Sequence, residues 1–310
     1  MLQPRTVVWF AGWSLAGTLA AQTACLDQFY QPFLFNGVQV TGTQSATQTF
    51  TVGQSGVLAQ VEASSVSHWN GVTTSMLRVA IVTTNGGVPN GTTLASIDVP
   101  PSAISVGFFL PPAPVLVDFT PFQLSVQAGQ VLGIELSCQC PPGGPNYAWF
   151  GLAPGGTYAN GLTYLQQTTP VPVCDLAFRT FVLSPATWTN YGAGHPGTNG
   201  VPSLTSSGNP KLGTTPSVLI GNSAGAPTLA SLFVGLMATS FPTPFGGTAL
   251  VVPITNFVLF VPTGGGQVPI PLPNDPTFCG FVLDMQAVVV DGGASQSIAF
   301  TPGLEFVLGS

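Results

Sequence analysis

Short runs of alternating apolar residues, broken again and again by Gly, Pro and Asn, most constrain how this chain can fold. In SMLRVAIV, Leu77, Val79 and Ile81 fall on one side while Arg78 and Ala80 take the other. In DLAFRTFVL, Leu176, Phe178 and Val182 oppose Ala177, Arg179 and Phe181. A period of two is the signature of a strand with one buried face. Turn residues punctuate these runs. TNGGVPNG (84–91) follows the first strand, QAGQ (127–130) leads into VLGIELSC, and CPPGGPN (140–146) leads into YAWFGLA. In QVPIPLP, Val268, Ile270 and Leu272 alternate with prolines that cannot donate ladder hydrogen bonds, which predicts an edge strand or an extended loop.

Helix formers are scarce. Beyond the first twenty or so residues the strong bases are Arg78, Arg179 and Lys211, and the glutamates are Glu62, Glu135 and Glu305, while Val, Thr, Phe and Gly abound. The pattern predicts an all-β protein of two tandem β-sandwich domains of jelly-roll type. Self-similarity at a fixed short period is not seen, which argues against a solenoid or a propeller.

Four segments follow from the reading along the chain. Residues 1–21 read as a signal peptide: MLQPR is basic, VVWFAGWSLAGTLAA is an apolar run of h-region length, and small residues stand at Ala20 and Ala21. Residues 22–184 form a first sandwich, 185–201 a linker or entry loop, and 202–310 a second sandwich. The linker holds most of WTNYGAGHPGTNGVPSL, which includes His195 and is rich in Gly, Pro, Thr and Asn.

Charged residues make up 5% of the 310-residue chain while 45% are hydrophobic, so a core can form although charge is scarce. Three scattered bases cannot neutralise a run of phosphates, which excludes a nucleic-acid footprint and argues against docking on an anionic membrane. ALVVPITNFVLFVP comes nearest to a membrane span, but Pro253, Thr255 and Asn256 interrupt it, so no transmembrane span is expected in the mature chain.

Five cysteines in an exported chain point to disulfides. The candidates are Cys25, Cys138, Cys140 and Cys174. Cys138 and Cys140 lie on one face of one strand, poorly placed to bond each other, so both remaining pairings tie Cys25 and Cys174 to that strand. Cys279 is left over and reads as a buried thiol.

Candidate chemistry is thin. GNSAG (221–225) fits the G-x-S-x-G nucleophile elbow, but that fold places its histidine after the serine, and both His68 and His195 precede Ser223. A polar turn after SVLI is the better reading. Neither histidine sits in a metal-ligand cluster. Asp275 and Asp291 are turn carboxylates that could serve calcium, although Asx turns explain them more simply; no cofactor is expected. Asp175 and Arg179 lie four apart on a strand and would form a structural ion pair. Paired carboxylates for glycoside hydrolysis are possible but undirected. The aromatics carry the one binding hint: Tyr147, Trp149, Tyr158 and Tyr164 could form a platform on which sugars stack, with polar tips left wet. A Trp in the middle of a strand more often belongs to a core, and that reading stands beside the platform.

Two resemblances add to this. YGAGHPGTNGVPSL, GNPKLGTTPSVLIGN, PIPLPNDPTFCGFVLDMQAVVVDGG and LEFVLG, over about 190–309, resemble a C-terminal module recurring in large secreted proteins of planctomycete-type bacteria. That module usually carries Cys where this chain has His195, which implies that a disulfide there is absent and leaves Cys279 without an obvious partner. The resemblance implies an exported β module with no recognised catalytic residues. TQTFTVGQSGVLAQVEASS, LRVAIVTTNGGVPNGTTLAS, DFTPFQLSVQAGQVLGIEL and DLAFRTFV, over about 46–182, are similar to jelly-roll surface modules appended to secreted bacterial enzymes and adhesins.

The sequence thus reads as a non-catalytic, secreted or cell-surface protein with a structural or adhesive role. Its partners would be extracellular polysaccharide or other surface proteins. The alternative is a carbohydrate-binding module gripping a glycan with its aromatics; a secreted hydrolase is a distant third.

Overall fold

The computed structural model describes residues 24–32, 36–106, 113–152, 158–172 and 174–310; the signal-peptide reading of 1–21 lies outside them. Among these residues the fold is all-β, with three-residue 3-10 turns as its only helical elements. No described helix is long and apolar enough to cross a membrane.

The first half has three sheets around one core. A six-stranded sheet runs in the order Thr169–Val171, Thr163–Leu165, Ala46–Thr51, Val131–Cys138, Leu77–Asn85, Val88–Val99. Opposite it, one five-stranded sheet is built on Cys25–Tyr30, Phe178–Leu183 and Gly56–Ala63, and another on Asn36–Val40, Asn146–Leu152 and Val66–Trp69. These two meet end to end. The chain crosses from one to the other at Ser64 and Ser65 and again at Ala177, where Ser64 N–H donates to Ala177 O at 3.0 Å and Ala177 N–H to Phe150 O at 3.0 Å. Leu77, Val79 and Ile81 are fully buried, and Phe50 meets Phe178 across the layers at 6.0 Å between ring centres. Each such side chain gains about 1.5–3 kcal/mol from leaving water, so the alternation seen in the sequence is what closes the sandwich.

The crossing at Ala177 overturns the expected ion pair. Asp175–Leu176 pairs with Gly151 and Leu152, whereas Phe178–Leu183 pairs with the other sheet. The two are separate strands, so Asp175 and Arg179 do not share a face. Arg179 instead lies 3.8 Å from Glu62 and donates to Gln31 at 2.6 Å.

The second half packs a six-stranded sheet on a three-stranded one. The larger runs Thr187–Tyr191, Gly303–Val307, Val282–Val290, Thr228–Pro242, Thr248–Val261, with Ile298–Phe300 also on Val282–Val290. The smaller runs Leu204–Ser206, Ser217–Ile220, Gly266–Pro269, so the proline-rich segment is an edge strand as read. Leu232, Met285, Ala287, Val289 and Phe306 fill the space between.

Residues 185–201 are no free linker. Thr187–Tyr191 pairs with Gly303–Val307 as the outer strand of the second sandwich. The loop beyond it is pinned: His195 exchanges both backbone hydrogen bonds with Phe300, at 2.8 and 3.0 Å, and Asn199 N–H donates to Ser223 O at 2.8 Å. Gly and Asn mark tight turns here, and turns docked on a sheet have the same composition as linkers.

The disulfide scheme is also corrected. Cys25 pairs with Cys279, S–S 2.06 Å, and Cys138 with Cys140; Cys174 is a buried free thiol. Cys279 ends the short turn Pro276–Phe278 in the second half, and the first strand Cys25–Tyr30 packs beside it. Cys140 lies past the end of the Val131–Cys138 strand, where the chain leaves extended pairing and its side chain can swing back toward Cys138. The Cα–Cα distance of 5.3 Å falls within the range disulfides require.

Candidate functional site

The four aromatic candidates are all inside. Tyr147 and Trp149 have no exposed surface, and Tyr164 and Tyr158 are 7% and 8% exposed. The strand Asn146–Leu152 lies between Asn36–Val40 and Val66–Trp69, so it is central in its sheet. The polar tips of three are satisfied within the protein: Tyr147 Oη donates to Ser75 O, Trp149 Nε1 to Ala177 O at 2.9 Å, and Tyr158 Oη to Gln28 Oε1 at 2.6 Å. Burial pushes the phenols of Tyr147 and Tyr158 up to about 12. Tyr158 also packs edge-on to Phe178, centres 5.2 Å apart. These rings hold the core together and present no stacking platform.

Ser223 is likewise spent. Its Oγ donates to Asp291 Oδ2 at 2.7 Å, and both residues are buried. Asp291 also accepts from Thr198 N–H at 2.9 Å, from the Thr198 hydroxyl, and from Gly293 N–H at 3.0 Å. Burial pushes this carboxyl up, but the hydrogen bonds from Thr198, Ser223 and Gly293 outweigh it and hold it down to about 2. The Gly293 bond is the Asx turn expected for Asp291; Asp275 makes the same motif with Thr277 N–H at 2.9 Å. Among the described residues no three His, Cys, Asp or Glu gather as metal ligands would. His68 is buried and neatly used: Nδ1 accepts from Thr73 N–H at 3.3 Å, which assigns the proton to Nε2, 3.0 Å from Pro101 O. The cluster around Asp291 clamps the 195–200 loop onto the second sandwich and engages the Ser223 hydroxyl in that clamp.

A concave surface does exist at one end of the first sandwich, and no motif marked it. Gln39, Thr41 and Thr43 form one wall, Asn70 another, and Gly144 with Asn146 a third, around about 310 Å³. The walls are tight turns. Asn70 takes a left-handed φ of 55°, and Gly42 sits where a Cβ would lie 2.2 Å from Cys140 O, so only glycine fits. The Cys138–Cys140 bond fixes the strand end from which the Pro141–Gly144 turn springs. Everything lining the groove is a neutral amide, a hydroxyl or a glycine or proline. Asn146 is 6% exposed; its Nδ2 donates to Gly144 O at 3.5 Å while its Oδ1 has no partner. Unpaired acceptors of this kind cost about 1–3 kcal/mol. The arrangement suits hydrogen bonding to a neutral polyol and has no group for proton transfer. The signals that could have found it are NG at 70–71, which no reading above uses, and GGPN at 143–146, which reads only as a turn.

No protein-family model matches this chain and no curated protein matches it. Solved structures similar to parts of it include a β-galactosidase from Bacteroides fragilis (10% identity, TM-score 0.18, covering 84% of this chain and 30% of that one). Two others are β-glucuronidase 2 of Bacteroides uniformis, bound to a cyclophellitol-6-carboxylate aziridine (10%, 0.17, 87% and 25%), and a Faecalibacterium prausnitzii β-glucuronidase (12%, 0.16, 88% and 36%). The chain spans about a third or less of the first two and 36% of the third. Scores this low carry no argument about architecture or activity, and the class rests on the coordinates: an all-β protein of packed sandwiches.

Proposed function

We propose that this protein is an exported, non-catalytic β-sandwich scaffold with a structural or adhesive role at a bacterial cell surface or in its matrix. The observation that carries this reading is the closure of the chain on itself. Cys25 in the first strand is bonded to Cys279, 254 residues away, and Ser310 N–H donates to Ser184 O at 2.7 Å. The two sandwiches are thereby joined by a covalent bridge as well as through the connecting backbone, which suits a part that resists pulling and proteolysis. Disulfides persist in oxidising compartments, in keeping with export. The use of Ser223 and Asp291 as a loop clamp, and the resemblance of 190–309 to a recurrent secreted module, point the same way. The test is to incubate the purified protein with cell envelopes and with chromogenic esters and glycosides. Co-sedimentation without turnover is expected; turnover abolished by Ser223→Ala or Glu62→Gln would overturn the reading.

A second reading, binding of a neutral saccharide, is favoured by one observation: the unpaired acceptor of Asn146 beside an uncharged groove. It moves the sugar site from the buried rings to Thr41, Thr43 and Asn70. A glycan array on the intact protein tests it. Signal lowered about tenfold by Asn70→Gly, the loss of one or two hydrogen bonds, supports it, and a blank array removes it.

A further inference from the structure

The strand Thr248–Val261 is the last in its sheet, so among the described residues no strand pairs with one side of its backbone. Natural edge strands are usually short or guarded by charge. This one has 14 residues, and the hairpin it forms with Thr228–Pro242 contains no Asp, Glu, Lys, Arg or His from 228 to 261. Pro253 and the register shifts beside it, the first of which skips Ile254, guard one half of the strand, and they leave Thr255 to Val261 in unbroken register.

The outer face beside that edge is apolar as well. Register places Leu229, Ser231 and Phe233 beside Phe260, Val258 and Asn256 on the face turned away from the core. Ile254 is 67% exposed, Val258 70%, Phe260 62%, Phe241 66% and Met237 59%. Next to them an apolar groove of about 340 Å³ opens between Phe233, Phe245, Val251, Val288 and Phe300. Scattered exposed apolar residues are ordinary; a contiguous patch of this size marks an interaction surface.

We infer that this hairpin is a homotypic interface, in which two copies of the chain pair through the Thr248–Val261 edges, antiparallel about a two-fold axis. Three observations select a second copy as the occupant. The surface is self-complementary: a two-fold axis through Phe257 sets Ile254 of one copy opposite Phe260 of the other, on the same side of the joined sheet, as an isologous contact requires. The chain carries a net charge of −6, yet none of it lies on this hairpin, so two like-charged copies meet here without repulsion. Leu229, Val258 and Phe260, all more than half exposed, lie at or one strand in from that edge, where a second copy would cover them. The pairing is independent of the scaffold reading above and would hold for a sugar-binding protein equally.

The test is sedimentation and light scattering on the intact oxidised protein. A dimer is expected at about 10 µM, and Ile254→Lys with Val258→Lys should weaken it by about 100-fold while the melting temperature and circular dichroism stay unchanged, because both side chains face solvent in the monomer. Phe257→Cys provides a separate readout: the symmetric position should give a disulfide-linked dimer on mild oxidation. A wild-type monomer at about 100 µM overturns the inference, as does a dimer that both lysines leave intact. A monomer that instead co-floats with neutral phosphatidylcholine vesicles assigns the face to a lipid surface and also overturns it.

Discussion

Cys25 and Cys279 face each other with their Cα atoms 5.5 Å apart, and their bond closes a span of 254 residues. In the chain-entropy picture a loop this long loses much freedom in the unfolded state, and native bridges contribute about 2–5 kcal/mol. Cys25→Ser with Cys279→Ser should therefore lower the melting temperature markedly. Thermolysin should cut the double variant first near the Cys25–Tyr30 strand, an edge strand whose pairing among the described strands is with Phe178–Leu183 on one side. Calorimetry with and without reductant measures the effect; equal melting temperatures would show that the bridge is incidental.

Asp291 gives stability a pH dependence of definite sign. Its carboxyl titrates lower in the folded protein, about 2, than in an unfolded chain, near 3.9. Its contribution is present above the unfolded value and is lost as pH falls from about 4 toward 2. Asp291→Ala, which strands Thr198 N–H, Gly293 N–H and two hydroxyls, should cost about 2–4 kcal/mol at neutral pH and flatten the acid limb of the unfolding curve. Hydrogen exchange should locate the loosening in residues 195–200.

Asp175 should behave oppositely. Burial pushes its carboxyl up, although Gln48 Nε2 at 2.9 Å and Tyr158 N–H at 2.8 Å stabilise the charge. A raised acid stabilises the fold below its unfolded pKa, and that help is lost as pH rises through the folded value. Asp175→Asn removes the charge but keeps only one acceptor, so its amide nitrogen would face either Gln48 Nε2 or Tyr158 N–H; it should cost about 1–3 kcal/mol and abolish this pH dependence. Gln48→Leu is expected to cost several kcal/mol, because Gln48 Oε1 also accepts from Thr163 and from Leu176 N–H, both at 2.7 Å.

Trp149→Ala and Tyr158→Ala should act as core deletions, each costing about 3–5 kcal/mol. Trp149→Phe should cost less, since it keeps most of the apolar volume and loses one hydrogen bond. Chemical denaturation measures all three. If Tyr158→Ala left stability unchanged while abolishing glycan binding, the ring would belong to a site after all.

Gly42→Ala tests the groove wall. The added Cβ would lie 2.2 Å from the carbonyl oxygen of Cys140, a backbone atom that cannot swing aside. The expected outcome is a shift of the 41–44 turn, seen as amide chemical-shift changes at Asn70 and Asn146, with a stability loss of about 1–3 kcal/mol.

Alternation and composition determined the class of this protein. Leu77, Val79 and Ile81 were legible as one buried face because strand periodicity is local chemistry, and the proline alternation of 268–272 was legible as an edge for the same reason. Relationships between distant segments were not written locally. The chain changes sheets at Ala177 inside what reads as one strand, because Ser64 and Phe150 offer its backbone new partners there. The Thr187–Tyr191 strand looks like linker until Gly303–Val307 arrives to pair with it. Cysteine partners depend on which Cα atoms the fold brings within reach, so Cys25 found Cys279 and not the nearer sulfurs in sequence. Tyr147 and Trp149 sit in a strand that could have had one wet face; only the layers packed on it decided that it had none. The groove of Thr41, Asn70 and Asn146 is the same case in reverse, assembled from three turns that sequence distance keeps apart. Local periodicity sets what each segment is, and burial, which depends on the whole, sets what each side chain does.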